Sequence, residues 1–215
     1  KSAYTDAWLP CSRIYKTLGS LSTGYPVYFT NSSGSTVRGF VTAGHAFSSP
    51  GTYAYRSSSL TSSYKFARCF ASQFSGSVDA AILEITDSNY PISTMTAYAG
   101  ITLSSNQYIT PAQGTTVRKE GATSNYTIGT VTSANVSVSY SGVIINNMLE
   151  TSALNLSGDS GGVMYTYSGG QYVIVGSMSG SSYNGISLTE ATFESSYVCK
   201  AAFALPALGG SIWIE

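Results

Sequence analysis

The chain has 215 residues, ten basic and ten acidic, and only 9% of its residues are charged against 43% hydrophobic. That length can bury a sizeable core as one large domain or two small ones. The zero net charge excludes the basic field that draws a protein to nucleic acid or anionic lipid. No stretch approaches the roughly 18 consecutive apolar residues of a membrane-spanning helix, and the first residues lack the charged and apolar regions of a signal peptide. The sequence therefore predicts an exported, already trimmed chain that engages neither nucleic acid nor membrane.

Tyr, Thr, Ser and Gly fill the place of the missing charges, and they suit short strands and tight turns. Runs rich in Val, Ile, Tyr and Thr, separated by Gly, Ser, Asn and Pro, predict an all-β barrel or sandwich. The first two runs are Tyr25 to Thr30 and Arg38 to Thr42. The second continues into Ala43-Gly44-His45 and so places the only histidine directly behind an apolar strand. Ala80 to Ile85 follows, with Asp79 at its entrance. Ser88 to Gln113 is the loosest stretch and the best candidate for a crossing between two halves, 1–100 and 101–215, of a single domain covering 1–215. Thr127 to Thr132, Gly142 to Ile145 and Tyr172 to Met178 are further strands, with the glycine-rich run Gly158-Asp159-Ser160-Gly161-Gly162 before the last of them. Helical spacing is confined to the end, where Val198, Ala201, Ala202, Ala204 and Leu205 predict a helix over about 196–208, interrupted at Pro206 and stopped by Gly209-Gly210. Cys11, Cys69 and Cys199 form no C-x-x-C pair, which argues against a zinc site and leaves open one bridge with one free thiol. The reading calls for no cofactor and no metal.

Acyl transfer needs a nucleophile, a base, a group that orients the base, and donors for the developing oxyanion. His45 is the candidate base and Asp79, at the mouth of an apolar strand, the candidate to hold its Nδ1–H. In Gly158 to Gly162 the glycines let the backbone fold so that the amides of Gly158 and Ser160 point at one spot beside the Ser160 hydroxyl. Taken singly, each segment has a plainer reading: a structural histidine, a strand-end aspartate, a turn.

Together, and in the order His, Asp, Ser, these segments resemble the chymotrypsin-like serine proteases, most of all their bacterial streptogrisin and α-lytic-protease-like branch. The resemblance implies two antiparallel six-stranded Greek-key β-barrels with a short C-terminal helix. It also implies a secreted, monomeric endopeptidase acting on peptides or proteins through an acyl-enzyme. Val117 to Val131 is similar to that branch's strand pair opening the second barrel, which implies that Lys119, or failing it Arg118, pairs with Asp159. Animal trypsins supply this cation with a new Ile N-terminus, whereas this chain begins Lys1-Ser2-Ala3-Tyr4. Gly176 to Ser181 is similar to the strand beside the specificity pocket. There Ser179 would bond the catalytic aspartate, and the backbone of Ser179, Gly180 and Ser181 would pair with an extended substrate. Leu154, Asn155, Ser157, Met178 and Ser181 are then the pocket-lining candidates; none is charged, so an uncharged residue is expected on the acyl side of the cut. Ala46 stands where the family commonly has cysteine, and the residues before Gly158 also lack one, so the usual bridges are missing; Cys11 and Cys199 could staple the termini if they meet. The alternatives are a catalytically inactive protease-like binding module and a protease acting only on its own precursor.

Overall fold

The computed structural model describes residues 7–17, 19–87 and 91–212, with the backbone alone for Asn106. The starting run 1–4, and with it the question of a trypsin-like N-terminus, lies outside them. In chain order the elements are β1 (Arg13–Lys16), β2 (Gly19–Ser22), β3 (Pro26–Thr30), β4 (Thr36–Thr42), β5 (Tyr53–Tyr55), β6 (Lys65–Ser75), β7 (Val78–Ile85), β8 (Leu103–Tyr108), β9 (Thr116–Gly121), β10 (Asn125–Tyr140), β11 (Val143–Thr151), β12 (Val163–Ser168), β13 (Gln171–Tyr183), β14 (Phe193–Lys200), α1 (Ala201–Leu208) and β15 (Gly210–Ile212).

The first sheet runs β15-β3-β4-β7-β6-β5-β1-β2. It closes through the chain itself. The Thr23 N–H bonds the Ser12 carbonyl at 2.9 Å, the Gly24 N–H bonds the Val41 carbonyl at 2.6 Å and the Val41 N–H bonds the Tyr25 carbonyl at 3.0 Å. Hence β2 and β3 act as one bent strand between β1 and β4, and six strands form a ring with β15 laid on its edge. The second sheet, β12-β9-β10-β11-β14-β13-β8, closes by direct β12–β13 pairing into a second ring of six, with β8 appended. All-β, two-barrel architecture is thus the observed fold. Closure leaves few open edges to manage.

Ile14, Leu21, Phe47, Phe66 and Leu83 fill the first barrel, and Val117, Val131, Leu149, Met164, Val175 and Met178 fill the second. A third cluster, including Tyr25, Val41, Ile82, Ile145, Val163 and Leu205, spans the seam. Each such side chain contributes on the order of 1.5–3 kcal/mol on burial. A hairpin adds to the seam: the β10–β11 arm reaches across to the β6–β7 turn, where the Asn146 N–H bonds the Gly76 carbonyl at 2.7 Å and Asn147 Nδ2 bonds Ser77 Oγ at 2.8 Å.

Three expectations need revision. The helix covers Ala201–Leu208 only, because Ser196 to Lys200 complete β14 and pair with β13, Val198 with Met178 and Lys200 with Gly176. It ends at Gly209, whose φ of 70° is left-handed, and Pro206 lies inside it. The second half, 101–215, is not confined to the second sheet, since β15 returns to pair with β3 in the first. Finally, all three cysteines are free and buried, so no staple joins the termini. Burial pushes the Cys69 thiol up to about 11 and the Cys199 thiol up to about 12, which leaves them as inert packing groups.

Gly39 sits in β4 opposite Glu84 of β7, and a Cβ there would overlap the Leu83 carbonyl oxygen. Gly39→Ala is therefore expected to cost about 1–3 kcal/mol and lower Tm by roughly 2–10 °C. An unchanged melting curve would show that β4 and β7 do not approach this closely.

Candidate active site

His45 lies in a 3-10 turn, Gly44–Ala46, immediately after β4. The turn fits there because position 44 has no side chain: a Cβ would overlap the Gln73 carbonyl and meet the Ala80 backbone nitrogen at 2.6 Å. Asp79 enters β7 from the next turn and has no exposed surface. Its Oδ1 accepts the His45 backbone N–H at 2.8 Å, and its Oδ2 lies 2.8 Å from His45 Nδ1. A carboxylate can only accept, so Nδ1 carries the proton and Nε2 presents its lone pair. The imidazole is 33% exposed. Burial opposes its protonation, but the hydrogen bond and charge of Asp79 prevail over burial and over Lys16, and hold its pKa above the ordinary imidazole value.

The second barrel reaches the same carboxylate through the Ser179 hydroxyl, which donates to Asp79 Oδ2. Having spent its one proton there, Ser179 Oγ accepts from Tyr140 OH, 2.9 Å away. The Tyr140 ring lies over Gly180, where a Cβ would meet its Cε1 at 2.7 Å. Phe74 stands between Tyr140 and His45, 5.8 Å from each by ring centroid. Behind Asp79, the Cys199 sulfur accepts the Asp79 N–H at 3.4 Å.

Ser160 sits on a loop wound by two short turns, with the Asp159 N–H on the Leu156 carbonyl at 2.9 Å and the Gly162 N–H on the Asp159 carbonyl at 2.8 Å. Gly158 has φ 98°, and Gly161 has φ 85° in a place where a Cβ would meet the Ser22 carbonyl at 2.5 Å, so both positions require glycine. The Ser160 hydroxyl donates to the Ser179 carbonyl at 3.4 Å. Among the described residues, no protein acceptor takes the amide protons of Gly158 or Ser160, so two free donors flank this hydroxyl. Ser160, Ser157 and Gly158 share a cleft of about 260 Å³ with His45, Ala46 and Lys16.

The loop is anchored by Asp159. Lys119 Nζ lies 2.7 Å from Asp159 Oδ2, and both side chains are 0% exposed. The same carboxylate accepts the N–H groups of Thr123 at 2.7 Å, Ser124 at 3.0 Å and Leu156 at 2.8 Å, and the Ser124 hydroxyl at 2.5 Å. Burial alone would raise its pKa, but Lys119 and these donors outweigh burial and hold it below the ordinary carboxylate value. Arg118 is elsewhere, over the ring of Tyr172.

Of the pocket candidates, Asn155 and Ser181 meet: Asn155 Nδ2 bonds Ser181 Oγ at 2.7 Å and the Gly180 carbonyl at 3.2 Å. Ser157 is exposed at the cleft and Leu154 half-buried. Met178 is a correction. Its side chain is buried in the second barrel's core, and what it offers the site is backbone, its carbonyl accepting the Gly161 N–H at 2.7 Å and its N–H bonding the Gly162 carbonyl at 2.8 Å.

Ser22 and Arg13 are further contributors that the sequence did not mark. Ser22 donates to the Gly158 carbonyl and accepts the Ala122 N–H, each at 2.9 Å, while its own N–H bonds the Ser160 carbonyl at 2.8 Å. Arg13 bonds Ser20 Oγ at 2.8 Å and the Ala122 carbonyl. Apart from Ser20, their partners are a hundred or more residues away, and nothing local marks them.

No protein-family model matches the chain. It is 32% identical over 145 residues to glutamyl endopeptidase 2 of Streptomyces griseus, which covers 67% of this chain and 72% of that protein. It is 30% identical over 146 residues to serine protease 1 of Streptomyces fradiae, 68% of this chain and 38% of that one. Among solved structures, a glutamic acid-specific serine protease that uses a histidine triad in substrate binding superposes with a TM-score of 0.75 at 28% identity, over 95% of this chain and all of the other.

Removing one partner of a buried ion pair strands the other. Lys119→Met is expected to lose about 3–5 kcal/mol, and Lys119→Met/Asp159→Asn less than that, as read by denaturant unfolding. Because the Asp159 pKa is depressed, its contribution is present above the ordinary carboxylate value of about 4 and is lost as pH falls through the lower native value. The stability gap between wild type and Lys119→Met should close in that acid window; a gap constant down to pH 2 would contradict the pair.

Proposed function

This chain belongs to the chymotrypsin-like serine proteases, in their bacterial streptogrisin-like branch, and is a serine endopeptidase; from that premise we propose that Ser160 is its nucleophile, His45 its general base, Asp79 the group that orients His45, and the amides of Gly158 and Ser160 its oxyanion hole. The observation that carries this reading is one cleft holding a hydroxyl with two unpaired amide donors beside it and an imidazole tautomerically fixed by a buried carboxylate. In the free enzyme the Ser160 hydroxyl rests on the Ser179 carbonyl. With substrate bound it turns to His45 Nε2. Ser160 Oγ then attacks the peptide carbonyl carbon, His45 takes the proton, and the oxyanion lodges between the two amides. As the tetrahedral intermediate collapses, the carbon–nitrogen bond breaks and His45 protonates the leaving amine. Water repeats the sequence on the acyl-enzyme, a chemistry that requires no metal or cofactor. The acyl half of the peptide lies along β13 beyond Met178, where β14 holds one edge and β12 pairing has ended. The enzyme acts as a secreted monomer on peptides or proteins.

On the acyl side the preferred residue is uncharged. Asn155, Ser157 and Ser181 carry no charge, and a buried carboxylate or ammonium there would lack a counter-ion. A glutamyl preference is the second reading, favoured by the likeness to glutamyl endopeptidase 2. Against it, the glutamic acid-specific protease uses a histidine triad, whereas this chain's single histidine is bonded to Asp79.

A fluorophosphonate is expected to add its mass to the peptide carrying Ser160, and Ser160→Ala to lower kcat by about 10⁶-fold. Labelling elsewhere, or a fully active alanine variant, would remove the assignment. A peptide-library digest dominated by cleavage after Glu would replace the uncharged preference with the glutamyl one. Since Asp79 raises the His45 pKa, kcat/KM should rise with pH through a value above about 6.5. In Asp79→Asn that limb should move to lower pH while kcat falls by about 10⁴-fold; an acid limb that stays in place would separate His45 from Asp79.

A further inference from the structure

The cleft beside Ser160 is bordered on the first-barrel side by Lys16, Leu21 and Ala46 and contains no carboxylate. Lys16 supplies its one permanent charge. The ammonium donates to the Ala46 carbonyl and stands 5.3 Å from the centre of the Phe47 ring, so it is held beside the residue that follows His45. Its charge is felt at His45, where it opposes protonation. Among the described residues no acidic group pairs with it. An ammonium has three donors, and only the Ala46 bond uses one.

Direction follows from the strands. The acyl half of a bound peptide lies along β13 in the second barrel, with the pocket cluster of Asn155 and Ser181 on that side. The amides of Gly158 and Ser160 fix the carbonyl between them. The chain beyond the cut must then leave on the opposite side of Ser160, toward β1 and β2, which is where Lys16 stands, opposite Gly19. We propose that Lys16 is a specificity-determining residue for the leaving half of the substrate, selecting an acidic side chain at the first or second residue after the cut.

This inference rests on the assignment of Ser160 and of β13 as the acyl-side strand. It is tested with internally quenched peptides that keep one acyl half and carry Glu, Gln or Lys at each of the two positions after the cut. At low salt, kcat/KM is expected to be roughly three- to tenfold higher for Glu than for Gln at one of them, and lowest for Lys. Raising the salt should shrink the ratio. Lys16→Gln should flatten the profile, Lys16→Glu should invert it toward Lys, and Lys16→Arg, which keeps the charge, should retain it. Equal rates for Glu, Gln and Lys at both positions in the wild type would overturn the proposal. So would a preference that survives in Lys16→Gln, or an acidic preference on the acyl side that this variant abolishes. If no peptide is cut and no fluorophosphonate adduct forms, it is the Ser160 assignment that fails, not Lys16.

Discussion

A carboxylate with no exposed surface sits at the seam between the two barrels. Asp79 belongs to the first barrel, yet one of its acceptor sites is taken by Ser179 of the second. An unpaired buried carboxylate would protonate or unfold its surroundings. Here three donors converge on it: the His45 amide, His45 Nδ1 and the Ser179 hydroxyl. The consequence runs in both directions. Docking of the barrels completes the solvation of Asp79, and Asp79 in turn fixes the His45 tautomer. Tyr140 extends the set outward by satisfying Ser179, and its ring occupies space that Gly180 leaves empty.

The Ser160 loop obeys the same constraint by other means. Asp159 is as buried as Asp79 but has a full counter-charge in Lys119, plus four further donors that wrap 123–124 and Leu156 around it. Such wrapping sets the path of the chain into Ser160, and Ser22 clamps it from the first barrel through the carbonyls of Gly158 and Ser160. With those carbonyls engaged, the free N–H groups are left toward the cleft. Neither family bridge is available here, because Ala46 and the residues before Gly158 offer no cysteine. Hydrogen bonds from Ser22, Arg13 and Thr42 to the carbonyls of Gly158, Ala122 and Ser22 tie β4 to β2 and the first barrel to the second.

Features were legible in the sequence where chemistry forces a residue type into a short window. Gly44 beside His45, and Gly158 and Gly161 around Ser160, could be read because close backbone approach and positive φ admit almost nothing else. The same holds for the barrels as a class, since turn residues and β-branched runs alternate along the whole chain. Long-range closure was not legible. Ser22, Arg13, Tyr140 and Lys16 are ordinary residues until folding brings their partners to them. Met178 was misread for a related reason: alternation along β13 decides which side chains face the core, and the register shift between Met178 and Gly180 changes that count. The helix began later than its spacing suggested because pairing of Val198 and Lys200 with β13 outweighs local helical periodicity.

In a chain with so few charges, three carboxylates lie in the interior among the described residues, Asp79, Glu120 and Asp159. Each is solvated differently. Asp159 has an ammonium, Asp79 has an imidazole and a hydroxyl, and Glu120 has only neutral donors: the N–H groups of Tyr98 and Ala99 at 2.9 and 3.1 Å and the Tyr165 hydroxyl at 2.7 Å. The gradation matches what each can do. The ion pair is fixed and serves as an anchor, and the neutral cage around Glu120 ties the 98–99 segment to the second barrel. Asp79 alone has a partner whose charge can change within the working pH range, since imidazole titrates where ammonium and hydroxyl do not. That difference in partner, more than any difference in burial, is what separates the carboxylate bound to a titratable imidazole from the two bound to groups of fixed charge.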